Sequence, residues 1–233
     1  MKKLNLFLSL ILILVMGTAA SAQTVDDVIS KATAAMGGQS AIDGVKSLKM
    51  SMTGTLQDKE IEFEVTILKP NNKMIKMNIM DMDIITATNG TDYWRSQMGQ
   101  VKDMTVAAKE QFGSSFYQYS GASIAGLIGN GTFIYSGKED VDGISADVVK
   151  GAFTGSGPVS MYFDATGLPF KMLMPNEEGD LHMSITDYRD VGGMLIAYKF
   201  ESITNGESMM ALEITEVEAN IDIDPSIFAK PAQ

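Results

Sequence analysis

Cysteine is absent from this 233-residue chain, histidine and tryptophan occur once each, and there are only six prolines. Without Cys there is no thiol nucleophile, disulfide staple, thiolate zinc site or iron–sulfur cluster. One imidazole, His182, cannot build a His-rich zinc site, and no G-x-S-x-G elbow presents a serine to it for a triad. His182 falls on the polar phase of residues 181–185, opposite the apolar one, and reads as a solvated strand histidine. Positive charge is also scarce, with 18 Lys+Arg against 29 Asp+Glu and a formal charge of −11. With no basic stripe, nucleic acid is not an expected partner. The glycine-rich stretch Gly121 to Gly131 lacks the Lys-Ser/Thr end of a phosphate loop, and Asp140-Val-Asp-Gly143 lacks the twelve-residue frame of a calcium loop. Carboxylates at Asp81 and Asp83, Glu139-Asp140, Glu177-Glu178 and Glu213, Glu216 and Glu218 sit at turns or on wet strand phases, where charge serves solubility. The expectation is a non-enzymatic protein without metal or cofactor.

What is present is a globular composition, 45% hydrophobic and 20% charged. Lys2 and Lys3 precede the apolar run Leu4 to Met16, and small residues lead to Ala20-Ser-Ala22. This is the pattern of a secretory signal peptide cleaved near Ala22. The run is shorter than the roughly 20 apolar residues of a membrane span, and no later segment is longer. No Cys follows it to be acylated, so residues 23–233 are expected as one soluble domain of the periplasm. Loss of Lys2 and Lys3 moves the formal charge from −11 to −13.

Val25, Val28, Ile29, Ala32 and Met36 recur at helical spacing after a cap at Thr24 or Asp26, and Gly37-Gly38 ends the helix. From Leu48 onward the period is two. Leu48, Met50, Met52 and Leu56 alternate with polar residues, as do Ile61, Phe63, Val65 and Ile67. Further strands follow through a tight Asn89-Gly90 turn to Gln97, and again from Val148 to Val217. Between Asp103 and Tyr119 the alternation lapses, and glycines from Gly113 to Gly131 mark a flap. Roughly ten strands with short turns predict a mainly β fold. The sheet is antiparallel and curls strongly or closes, as an incomplete β-barrel with an N-terminal helix and a helical or irregular lid.

Methionine is abundant: 18 in all, 16 after the leader, many on strands where β-branched residues are the usual choice. Being unbranched and polarizable, Met suits surfaces that accept varied apolar partners. An ordinary core using Met as filler is the competing reading. The expected apolar ligand cavity is lined by Met50, Met52, Phe63, Val65, Met77, Met161, Phe163, Met172 and Met183, rimmed by Trp94, Phe112 and Phe116.

The leader, the helix end Ala34-Ala-Met-Gly-Gly38 before Val45-Lys-Ser-Leu48, Asn89-Gly-Thr-Asp-Tyr-Trp94, Tyr162-Phe-Asp-Ala-Thr-Gly-Leu-Pro169 and the closing Ile223-Asp-Pro-Ser-Ile-Phe228 together resemble the LolA-like superfamily. The likeness is greatest to the outer-membrane lipoprotein-sorting-like proteins of Bacteroidetes, and it spans nearly the whole mature chain. It implies an incomplete barrel under a helical lid, holding lipid or lipoprotein acyl chains, without catalytic residues and with envelope membrane proteins as further partners. Arg95 and Arg189 are the only arginines, and neither sits in a motif that carries over the lid-holding arginine of such carriers. The alternative function is an envelope scaffold domain with a filled interior.

Overall fold

The computed structural model describes residues 23–80, 82–106, 108–109, 112, 128, 131–153, 157–176 and 179–232. The leader, Phe116 and most of the expected flap lie outside these. Helix α1, Val25–Ala35, begins at a capping box: the Thr24 hydroxyl accepts from the Asp27 N–H, and the Asp27 carboxylate accepts from the Thr24 N–H at 2.7 Å. The left-handed Gly37, φ 107°, ends it. A Cβ at Gly37 would stand 2.0 Å from the Gly193 carbonyl O, so only glycine lets the helix end meet that turn. The Leu195 N–H then bonds the Met36 carbonyl at 3.1 Å.

A second helix, α2, Gly38–Gly44, follows directly. Seven residues with one buried anchor, Ile42, carry no readable period. Two ammonium groups serve its last carbonyls, Lys46 at Asp43 O and Lys69 at Ile42 O, each at 2.6 Å.

Thirteen strands follow among the described residues: β1 Ser47–Leu56, β2 Lys59–Leu68, β3 Asn72–Ile79, β4 Met82–Thr88, β5 Tyr93–Gln97, β6 Gln100–Asp103, β7 Gly131–Val141, β8 Ile144–Phe153, β9 Pro158–Phe163, β10 Pro169–Asn176, β11 Gly179–Val191, β12 Met194–Thr204 and β13 Glu207–Ala219. They make one antiparallel sheet in the order β6-β5-β4-β3-β2-β1-β13-β12-β11-β10-β9-β8-β7. Only the β1–β13 pairing joins strands distant in sequence. The sheet curves without closing, since among the described residues β6 and β7 are its two edges. β6 and β7 are additional to the expected strands. The Asn89-Gly90 turn spans four residues rather than two, with the Asn89 side-chain oxygen accepting from the N–H groups of Thr91 and Asp92.

One large buried cluster joins Val28 and Ala32 of α1, Met36 at its C-terminal cap and Ile42 of α2 to alternate residues of strands as far apart in the sheet as β2 and β8. The sheet therefore wraps this inner face around the helices, which touch β7, β8 and β12. A second cluster lies on the outer face of β3–β5, where Met74, Ala87 and Trp94 are covered by Ile223 and Phe228. Phe228 ends a 3₁₀ turn, Pro225–Phe228, capped by the Asp224 carboxylate at Ser226 N–H.

Candidate functional site

Strand registry decides which candidates share a surface. Met161, Met172 and Met183 are direct cross-strand partners on β9, β10 and β11. Met183 faces Ser202 on β12, which faces Met210 on β13, which faces Leu56 on β1. Met50 and Val65 form one cross-strand row with Ile75, and Met52 and Phe63 form the next with Met77. Phe163, two residues from Met161, has the same phase. All these residues belong to one face, and all but Met77 and Ser202 belong to or pack on the main cluster.

Trp94 does not join them. Registry with Ala87 and Met74 puts its side chain on the outer face, in the second cluster, and its indole N–H donates to the Phe228 carbonyl at 3.0 Å. Its expected place at the rim is thereby corrected: Tyr93 and Arg95, one residue to either side, carry the inner phase. Phe112 is buried, and the Lys109 ammonium stands 5.2 Å from the centre of the Tyr93 ring.

Packing is tight near the helices and looser away from them. Leu48, Met50 and Phe163 are at most 1% exposed, whereas Leu56, Phe63, Met77, Ile79, Met174 and Met210 are half-buried. Most of these half-buried residues lie toward the end of the sheet that carries the β1–β2, β3–β4 and β12–β13 turns. Among the described residues the buried Ser202 hydroxyl on this face has no hydrogen-bond partner.

Asp147 fixes the helical side of this face. Its carboxylate, 3% exposed, accepts from Lys138 Nζ at 2.7 Å and Tyr135 OH at 3.0 Å, with Lys31 Nζ of α1 at 3.6 Å. Burial alone pushes its pKa up, but the hydrogen bonds from Lys138 and Tyr135, with the two ammonium charges, hold it below the ordinary aspartate value. Beside it, the Asp164 carboxylate accepts the backbone N–H groups of Thr166, Gly167 and Leu168 and shapes the β9–β10 turn. A Cβ on Gly167 would come 2.9 Å from Lys31 Cγ, so that turn rests on α1.

The outer face of β1–β3 carries charge by contrast. Glu64 bridges Lys49 at 3.1 Å and Lys76 at 3.0 Å; burial opposes its ionisation, and the two lysines still hold its pKa low. Recesses of about 440 and 530 Å³ on this face are lined chiefly by polar side chains, among them Thr53, Thr186, Lys199, Glu213 and Glu62, Asn78, Asp83. His182 pairs with Leu173 and Ile203, on the phase opposite Met183. No group of His, Asp and Glu among the described residues is arranged to hold a metal ion.

No protein-family model matches the chain, and no curated protein does. Solved structures do. A DUF1329 family protein from Desulfovibrio piger matches with a TM-score of 0.60 at 10% identity, over 88% of this chain and 97% of the other. A domain described as an outer membrane lipoprotein-sorting protein, from Vibrio parahaemolyticus, matches with a TM-score of 0.58 at 13% identity, over 88% and 95%. A LolA superfamily protein from Nitrosomonas europaea matches with a TM-score of 0.58 at 12% identity, over 90% and 99%.

Proposed function

We propose, on the premise that the chain has a LolA-like fold, that it is a non-catalytic carrier or binding protein of the periplasm, holding lipid or lipoprotein acyl chains on its methionine-rich inner face. The observation that carries this reading is the registered row Met161–Met172–Met183, continued across Ser202 to Met210. Straight, polarizable side chains line up there across adjacent strands where a packed β core ordinarily uses branched ones. The looser packing at Phe63, Met77 and Met210 supports entry from the turn end. Each chain methylene taken from water would add about 0.8 kcal/mol. The expectation of no enzymatic activity rests on the lack of Cys and the single His. The leader supports export, and among the described residues no helix is long and apolar enough to cross a membrane.

Displacement of a fluorescent fatty acid from the mature protein, with native mass spectrometry of material from its own periplasm, tests the proposal. Met77→Asp with Met210→Asp, at half-buried positions that tolerate the change better than Met50, is expected to abolish uptake in a folded protein. Absence of both displacement and co-purifying lipid from the unmodified chain refutes the carrier reading. The second reading, an envelope scaffold with a filled interior, is favoured by the complete burial of Met50 and Met161, and predicts that refuting result.

A further inference from the structure

We infer that the inner face at the β5–β6 edge receives an anionic head group, carboxylate or phosphate, of an amphiphile whose chain lies on the methionine face. This rests on the carrier reading and names the class of its ligand. Two cross-strand rows of the inner face lead to that edge: Met50–Val65–Ile75–Thr86–Arg95–Lys102, and Met52–Phe63–Met77–Ile84–Gln97–Gln100. Both are predominantly apolar through β4 and end on polar side chains. Arg95 and Lys102 are direct cross-strand partners, so two cations stand side by side on one face, which is unfavourable unless something anionic lies between them.

Among the described residues no carboxylate neutralises the pair. In a chain with 29 acidic residues, Lys49, Lys76, Lys138, Lys150, Lys171 and Lys230 each have a carboxylate within 4.0 Å, whereas Arg95 and Lys102 have none among the described residues. Arg95, Gln97, Met98, Gln100 and Lys102 line a recess of about 290 Å³. That volume suits a head group and its water rather than a chain. Arg offers a planar fork of donors to carboxylate or phosphate, Lys a point charge, and the Gln97 and Gln100 amides further donors. Lys109, over Tyr93 two residues before Arg95, adds a third cation to the same edge. Exposed lysines also protect sheet edges from aggregation, and that role gives the contrary prediction.

The test compares oleic acid, oleoyl lysophosphatidic acid and uncharged monoolein, which share one chain, against the mature protein and its Arg95→Gln/Lys102→Gln variant. Both substitutions are at exposed positions. The expected result is at least about tenfold tighter binding of an anionic amphiphile than of monoolein, lost in the variant while monoolein affinity is unchanged. Preference for the lysophosphatidic acid identifies phosphate, and preference for oleic acid identifies carboxylate. Equal affinities in the unmodified protein, or a preference that survives in the variant, overturn the inference and leave the carrier reading standing. Unchanged selectivity with new aggregation of the variant assigns the pair to edge protection and likewise overturns it. Failure of all three amphiphiles to bind refutes the carrier reading, and this inference with it.

Discussion

The indole N–H of Trp94 on β5 donates a 3.0 Å hydrogen bond to the backbone carbonyl of Phe228, a residue fully buried near the C-terminus. This contact docks the last segment on the outer face, helped by Lys230 at Asp103, 2.8 Å away, and by the Ser47 hydroxyl at the Ile221 carbonyl. Phe228→Ala is expected to cost about 3–5 kcal/mol and, because Trp94 is the sole tryptophan, to red-shift the protein's emission. Ligand binding on the inner face is expected to leave that emission nearly unchanged. Denaturant melts followed by fluorescence check both.

Trp94 also illustrates what the sequence made legible and what it did not. Period-two alternation correctly put Met50, Met52, Val65, Met161, Met172 and Met183 on one phase, because an apolar–polar rhythm is local. It marked Trp94 as apolar surface but could not tell which of two surfaces, because the outer cluster exists only once Ile223 and Phe228 return from far along the chain. β7 was missed for a different reason. A register shift between Tyr135 and Gly137 breaks the alternation, and Lys138-Glu-Asp140 follows as on a charged edge strand. β6 has four residues, and Val101 is its only apolar one.

Asp147→Asn is expected to destabilise the protein by about 1.5–3 kcal/mol, the usual range for a hydrogen-bonded charge. The loss stays moderate because Lys31 and Lys138, both more than a third exposed, can turn to water. The pH dependence has a definite sign. Asp147 and Glu64 ionise more readily folded than unfolded, so their stabilisation is complete above the ordinary carboxylate range and is lost as pH falls through their lowered folded values. Thermal melts across acid pH should show this decline, flattened in the Asp147→Asn variant.

Gly37→Ala sets a Cβ against the Gly193 carbonyl at a backbone angle glycine alone adopts freely. A loss of about 1–3 kcal/mol is expected. Amide exchange should rise first at Leu195, whose N–H bonds Met36 across this junction.

Ser202→Ala removes a buried hydroxyl that none of the described residues satisfies. Stability is expected to stay level or rise by up to about 1 kcal/mol, in contrast to the losses above. Urea unfolding at constant m-value checks it; a marked loss would show that the hydroxyl has a partner in solution.

The most direct test of the central claim is methyl NMR of the mature protein labelled at methionine and titrated with oleic acid. Signals of Met161, Met172, Met183 and Met210 are predicted to shift together and saturate, while Met74, beneath Phe228 on the outer face, stays fixed. Shifts confined to Met74, or none at all, would contradict a ligand on the inner face.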